Sequence, residues 1–271
     1  MIRLSILSEN TVYRRGFLGE HGLSVLVETP ARALLFDTGQ TDVFLKNAGR
    51  MEKDPAEAEA VILSHGHYDH CGGLEYLFGK MKMPVYLRGE ALSHKCAKGM
   101  GKTLYRDISV PWRERPPKNL VFVTEDLTML YPDIYLLGNI GRDGADGKPG
   151  EFFVEHEGFY RSDLMEDEQM LILRQPAGLV VLAGCCHPGV LNCIAHIHKY
   201  FEGEHIHAFV AGMHLMHASE DYIAYVGEEL KRQDIDLFYP LHCTGQKACV
   251  YLERLLQKRC YRVSVGDCIC I

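Results

Sequence analysis

Two β-sheets covered by helices, an α/β (α+β) arrangement rather than one doubly wound sheet, is the architecture this sequence predicts. Three observations carry that expectation. Strand-rich stretches dominate up to Gly189, strands and helices alternate after it, and no internal repeat or low-complexity tract interrupts the pattern. With 271 residues, 47% of them hydrophobic and 24% charged, the chain is long enough for a large core and is read as a single domain.

Taken in order, "IRLSIL" reads as a strand. "LSVLVETP" and "ARALLFDTG" read as a hairpin turning at Pro30-Ala31. "DVFLKNAGRM" reads as a helix from Thr41 to about Gly49, "EAVILS" as a buried strand, and "GGLEYLFGKM" as the helix after it. "PVYLRG" is the next strand. From about residue 88 to 118 the pattern is irregular and basic, with Arg88, Lys95, Lys98, Lys102, Arg106, Arg113, Arg115 and Lys118. "NLVFVTE", "LTMLYPDIYLLGNI" and "QMLILRQPAGLVVLAG" are strand-rich, the last a hairpin around Gln175 to Gly178. "GRDGADGKPGEF" reads as a glycine-rich loop. Then follow helix "VLNCIAHIHKYF", strand "IHAFVAG", helix "SEDYIAYVGEELKRQ" capped by Ser219, strand "DLFYPLHCTG", helix "QKACVYLERLLQKR" and a last strand in "YRVSVGDCICI".

A formal net charge of −7 argues against a surface that coats nucleic acid or an anionic membrane. No apolar run reaches the roughly 18 residues a membrane span needs. "MIRLSILSENTVY" carries no signal-peptide pattern, so the expected location is the cytoplasm, with ten reduced cysteines. Cys249, Cys260, Cys268 and Cys270 read as small buried hydrophobes.

The chemistry concentrates in "AVILSHGHYDHCGGLEYLF". His65, His67, Asp69 and His70 fall within six residues, between a strand end and a helix start. Imidazole nitrogen and carboxylate oxygen are ligands for zinc or iron at close to ~2 Å. Alternation points His65 and His67 to one side. Asp69 and His70, beyond the turn, point to another, so one segment can serve two adjacent metals. A histidine-rich polar turn without metal is the alternative.

"SHGHYDH" resembles the HxHxDH signature of the metallo-β-lactamase fold superfamily. Asp37 in "LLFDTG" matches that superfamily's first motif, an aspartate that orients the metal loop by holding a histidine ring through its other nitrogen. "EHGLSVLVE", "LLFDTGQTDVFLKNA", "VILSHGHYDHCGGL", "LAGCCHPGVLN", "AGMHL" and "LHCTG" together resemble a narrower group, the 7,8-dihydropterin-6-methyl-4-(β-D-ribofuranosyl)aminobenzene 5′-phosphate synthase-like proteins. The resemblance implies a four-layer αββα sandwich and two divalent metal ions, zinc first, with iron or manganese as alternatives. It implies His187, after one strand, as the later ligand of the first metal and His242, after another, as that of the second. Where the superfamily commonly has a bridging glycine–aspartate pair, this chain has Gly184-Cys185-Cys186. A Cys185 thiolate or Asp167 from before the hairpin could take that place, or His187 could lie in the slot and leave only water or hydroxide as the bridge. His214 in "AGMHLMH" could hold a substrate anion or a metal, or be structural. Glu20 and His21 match the group and would line the pocket.

The activity so implied is hydrolysis by a metal-bound hydroxide attacking a phosphoester, phosphodiester or related centre, with Asp69 and His214 as catalytic groups. The substrate would be a phosphate-bearing small molecule, with the basic insert as an anion-binding candidate, and a homo-oligomer is left open. Alternatives are a pterin transferase releasing pyrophosphate, a lactonase or thioesterase, and a non-catalytic metal-containing binding protein. "KGMGKT" resembles the end of a P-loop but has Cys96 where that pattern needs glycine. No G-x-S-x-G elbow is present, which argues against serine hydrolase chemistry. The di-iron oxygen-reducing branch of the superfamily has a glutamate where His67 stands, and carries a flavin domain.

Overall fold

A computed structural model describes residues 1–98, 105–142 and 152–271. The stretch Lys98 to Thr103 that resembles a P-loop lies, apart from Lys98, outside the described residues. So does most of the glycine-rich loop from Gly141 to Phe152.

In chain order the elements are β1 (Arg3–Ser8), β2 (Ser24–Glu28), β3 (Ala33–Phe36), α1 (Val43–Arg50), β4 (Ala60–Ile62), α2 (Tyr68–Cys71), β5 (Val85–Leu87), β6 (His94–Lys98), β7 (Tyr105–Asp107) and β8 (Leu120–Phe122). Then come β9 (Leu127–Tyr131), β10 (Ile134–Gly138), β11 (Phe152–His156), β12 (Phe159–Ser162), β13 (Gln169–Gln175), β14 (Gly178–Ala183), α3 (Val190–Tyr200) and β15 (Ile206–Gly212). The chain closes with α4 (Glu220–Arg232), β16 (Ile235–Leu241), α5 (Gln246–Leu256) and β17 (Cys268–Cys270). These fall into two compact units. The first takes residues 1–124, 148–168 and 265–271, and the second takes 125–147 and 169–264.

The first unit holds a sheet ordered β17-β1-β2-β3-β4-β5-β8. Its strands β2 and β3 form the expected antiparallel hairpin, and β3, β4, β5 and β8 run parallel. Parallel strands must be covered on both faces, which fits the fully buried "AVI" of β4. Helix α1 turns Phe44, Asn47 and Ala48 inward, and Phe44 and Ala48 join a core with Leu74, Leu77 and Trp112. Burying each of the larger apolar side chains contributes about 1.5–3 kcal/mol. Asn47 is polar yet buried because its amide donates to the carbonyls of Leu7 and Leu18, each at 2.8 Å.

Several expectations need correction here. The chain turns helical at Tyr68, inside the histidine motif. "GGLEYL" then continues as a 3-10 helix, since two consecutive glycines disfavour a longer α-helix. The basic stretch 88–118 is not irregular throughout. Its β6 and β7 join β11 and β12 in a separate four-stranded sheet ordered β12-β11-β6-β7, so the described residues form three sheets rather than two. Two of its cations are buried and engaged. Arg88 donates to the carbonyls of Glu166 and Thr124, and Lys95 pairs with two aspartates. Cys268 and Cys270 are exposed, because the three-residue edge strand β17 turns only Ile269 inward.

The second unit is a six-stranded sheet ordered β16-β15-β14-β13-β10-β9. Strands β14, β15 and β16 are parallel neighbours, and their carboxyl ends lie along one edge. Helices α3, α4 and α5 contribute Ile194, Ile197, Val226, Leu230 and Leu252 to its core. Ser219 caps α4 by accepting from the Tyr222 N–H, and Lys231 and Arg232 close that helix's last turn, where cations suit the helix dipole. The histidines of "AHIHKYFEGEHIH" are not simply solvated. His196 is buried, with Nε2 2.9 Å from the Gly138 carbonyl oxygen, and burial lowers its pKa. His205 and His207 both pair with Asp236. No helix among the described residues is long and apolar enough to cross a membrane.

Candidate metal centre

In the first unit the carboxyl ends of β3 and β4 deliver Asp37 and the histidine motif side by side. Asp37 is fully buried and has φ +56°, a left-handed conformation that aspartate tolerates better than most residues. Its Oδ1 accepts from the Ser64 N–H at 2.7 Å. Its Oδ2 accepts from the Ser64 hydroxyl at 2.7 Å and lies 2.7 Å from His70 Nδ1. The Ser64 hydroxyl also stands 2.9 Å from His65 Nδ1. Both Nδ1 atoms thus face hydrogen-bonding partners, so Nε2 is the nitrogen of each ring that could serve as a metal ligand.

The three imidazoles lie close together, edge-on or tilted to one another. Ring centroids of His65 lie 4.5 Å from His67 and 4.2 Å from His70. Burial, then the neighbouring His70 and His67, hold His65 well below its ordinary pKa, so its ring is neutral and fit to donate a lone pair. Asp69 Oδ2 sits 3.8 Å from His70 Nε2 and 3.2 Å from His21 Nε2. That set, three imidazoles and one carboxylate with oriented rings, suits zinc, iron or manganese. The turn needs Gly66 for a steric reason: a Cβ there would stand 2.0 Å from the Ala91 carbonyl oxygen.

His21 therefore touches Asp69, and its Nδ1 is 3.2 Å from the Asn10 amide. Glu20 does something else. Its carboxylate accepts from the Ser8 and Thr41 hydroxyls and from the Gln40 N–H, so it brackets the loop after β3. Asp167 is fully buried and engaged at both oxygens, by the Gly66 N–H at 2.7 Å and by Lys95 Nζ at 2.9 Å.

In the second unit, His187, His214 and His242 follow β14, β15 and β16, at the edge where open α/β sheets place ligands. Cys186, His214 and His242 have φ of +51°, +49° and +50°. His187 and His242 are buried, His214 is exposed, and the His187 and His214 ring centroids are 4.5 Å apart. Ligand atoms of Cys185, His214 and Cys243 lie within 4.8 Å of one another. Burial alone would raise the Cys243 pKa. Hydrogen bonds with Cys185 and His214, and the nearby His242, hold it well below the usual thiol range instead. Gly212 permits this crowding, since a Cβ there would stand 2.3 Å from the Gly184 carbonyl oxygen and 2.7 Å from Cys243 Sγ.

Sequence reasoning missed Ser64, Asp163 and Cys243, and read Lys95 only as one cation of the basic insert. Ser64 was open to discovery, because it directly precedes the first histidine. Nothing in the sequence links Lys95 to aspartates some 70 residues on.

A profile of the metallo-beta-lactamase superfamily matches residues 18–157. The chain belongs to the metallo-β-lactamase superfamily. It is 36% identical to Tm1679, a metal-dependent hydrolase of the beta-lactamase superfamily, with a TM-score of 0.88 over 100% of this chain and 99% of that one. It is 30% identical to the 7,8-dihydropterin-6-methyl-4-(beta-D-ribofuranosyl)-aminobenzene-5′-phosphate synthase of Methanocaldococcus jannaschii, over 91% of this chain and 89% of that protein. An uncharacterized protein of the same organism is also 30% identical, over 93% and 94%. Zn(2+)-bound PqqB from Methylobacterium extorquens, at 12% identity and TM-score 0.59 over 99% and 100%, shares the fold. The chain has the metallo-β-lactamase fold.

Proposed function

We propose that this superfamily member is a metal-dependent hydrolase acting on a phosphate-bearing small molecule. In the first unit His65, His67, Asp69 and His70 would be the ligands for two divalent ions, and in the second unit His187 and His242 would each be a later ligand of one of them. The observation that carries the reading is the Asp37–Ser64 pair. It engages the Nδ1 atoms of His65 and His70 and turns each Nε2 to ligand duty. Bound divalent ions would supply an activated water and charge stabilisation for the oxygen that develops negative charge.

The chain's own residues divide the remaining work. Asp69, with its Oδ2 3.2 Å from His21 Nε2 and 3.8 Å from His70 Nε2, can take a proton from the nucleophile. His214, exposed and beside His187, can hold a substrate anion. Buried Ser64 and Asp37 keep water away from the inner nitrogens of the ligand rings.

A synthase reading stands second, favoured by the 30% identity to the methanogen enzyme along most of both chains. One experiment addresses both. Metal-loaded protein is screened against phosphomonoesters, phosphodiesters and lactones, and against a dihydropterin pyrophosphate with and without an aminobenzene acceptor. Hydrolysis abolished by His65→Ala supports the first reading. Pyrophosphate release that requires the acceptor supports the second. Full activity in His65→Ala would overturn the ligand assignment.

A further inference from the structure

We propose that Lys95 is a positioning residue for the metal-binding turn, acting through Asp167 on the backbone of Gly66. The inference rests on His65 and His67 being metal ligands.

Lys95 projects from β6 and is completely buried. A buried ammonium is costly unless it is paired and hydrogen-bonded. Here Nζ lies 2.6 Å from Asp163 Oδ2 and 2.9 Å from Asp167 Oδ1. Burial alone would lower the lysine's pKa, but the two carboxylates raise it, so the ammonium is charged. Asp163 in turn accepts from the Met165 N–H at 2.8 Å through its other oxygen. The remaining oxygen of Asp167 accepts the N–H of Gly66, between His65 and His67, at 2.7 Å.

The same strand fastens the other side of His67. The Lys95 carbonyl accepts from the Ile108 N–H at 2.9 Å, and the Ile108 carbonyl accepts from the Tyr68 N–H at 3.0 Å. The Lys95 N–H donates to the Ser109 hydroxyl at 2.8 Å. Phe152 of β11, in the same small sheet, stands 5.0 Å from the His67 ring, centroid to centroid. Gly66 is also pressed against the Ala91 carbonyl, with no room for a side chain.

The backbone N–H on each side of His67 is therefore tied to the four-stranded sheet, and its ring is packed against that sheet. Shifting the His67 backbone would break one of these ties, and turning its ring would give up the packing on Phe152. This assigns a role to the basic insert that its charge pattern hides: Lys95 acts inward on a ligand rather than outward on a substrate. Asp167, engaged at both oxygens, acts as the linking carboxylate rather than as a bridge between metals.

The test uses the full-length chain loaded with cobalt(II), whose visible absorption reports ligand geometry. Asp167→Asn removes one charge and leaves the Lys95–Asp163 pair balanced, so it is the variant more apt to fold. Its amide can accept from Gly66 or from Lys95 but not from both. Cobalt bound at wild-type stoichiometry, with an altered visible band and a dissociation constant raised about 10- to 100-fold, is the expected result. Lys95→Met should move both readouts in the same direction. Lowered thermal stability with an unchanged band and an affinity within twofold of wild type, in whichever variant folds, overturns the positioning role. Loss of one whole cobalt per chain in Asp167→Asn also overturns it, because Asp167 would then be a ligand. A wild-type chain that binds no cobalt at all rejects the underlying metal reading, and that control separates the two failures.

Discussion

Replacing Asp37 by asparagine tests the ligand logic with the least disturbance to packing. Asparagine has the same shape and also tolerates φ near +56°, so the backbone has no reason to move. Its carbonyl oxygen can keep the bond from the Ser64 N–H, and its amide NH2 then faces the Ser64 hydroxyl and His70 Nδ1. Both were partners of a carboxylate that only accepts. His70 must now accept at Nδ1, which moves its proton to Nε2, the atom required for a metal. Restoring the ligand tautomer means breaking a buried hydrogen bond, at about 1–3 kcal/mol. At about 1.4 kcal/mol per tenfold, that is a loss of roughly 5- to 150-fold in metal affinity, overlapping the 10- to 100-fold typical of such partners. The assay is a competition titration of metal-free protein with zinc and a chromophoric chelator. Circular dichroism and thermal melting follow the fold in parallel. A folded Asp37→Asn variant whose weaker zinc site stays within twofold of wild type would refute the claim that this carboxylate sets the His70 tautomer.

Two further outcomes follow from the same geometry. Gly66→Ala must push a methyl group into the Ala91 carbonyl, so it should destabilise the chain by at least about 1–3 kcal/mol in urea unfolding. Gly49→Ala, exposed in α1 with open space around it, should stabilise by up to about 1 kcal/mol and serves as the control. In metal-free protein, His65 is held neutral with its pKa well below 6.5, so the unfolded chain binds the proton that the folded chain refuses. Stability should fall as pH drops below about 6.5, and His65→Asn should flatten that slope in chemical unfolding measured between pH 5 and 7.5. An equal slope in both proteins would count against a buried neutral His65.

The legibility of this chain in its sequence varied with burial. After Gly189 each helix has a buried stripe, as with Ile223, Val226 and Leu230 in α4, and the strands between are mostly apolar and buried apart from His207 and Asp236 near their starts, so period and type were plain. The histidine motif was equally legible, because four potential ligand side chains in six residues have few structural uses. The small sheet was not. Its strands read "HKCAK", "YRD", "FFVEH" and "FYRS", and β12 is exposed along its whole length. Its buried positions in β6, Lys95 and Cys96, are adjacent and one of them is charged, so there is no apolar alternation to detect, and charge content took over the reading of the insert. The role of Glu20 was hidden for another reason. It depends on which backbone N–H groups a distant loop leaves open, and no local pattern encodes that.

The left-handed backbone at Asp37, Cys186, His214 and His242 bears on how this scaffold could be engineered. Glycine or asparagine would sit more easily at Cys186 and at the histidines, where side chains crowd a conformation that most residues avoid. A selection for heat resistance alone would thus reward the removal of imidazole and thiol groups. It would arrive at a sturdier protein by dismantling the proposed metal centre, so any directed-evolution scheme for this chain should hold those positions fixed and harvest stability elsewhere.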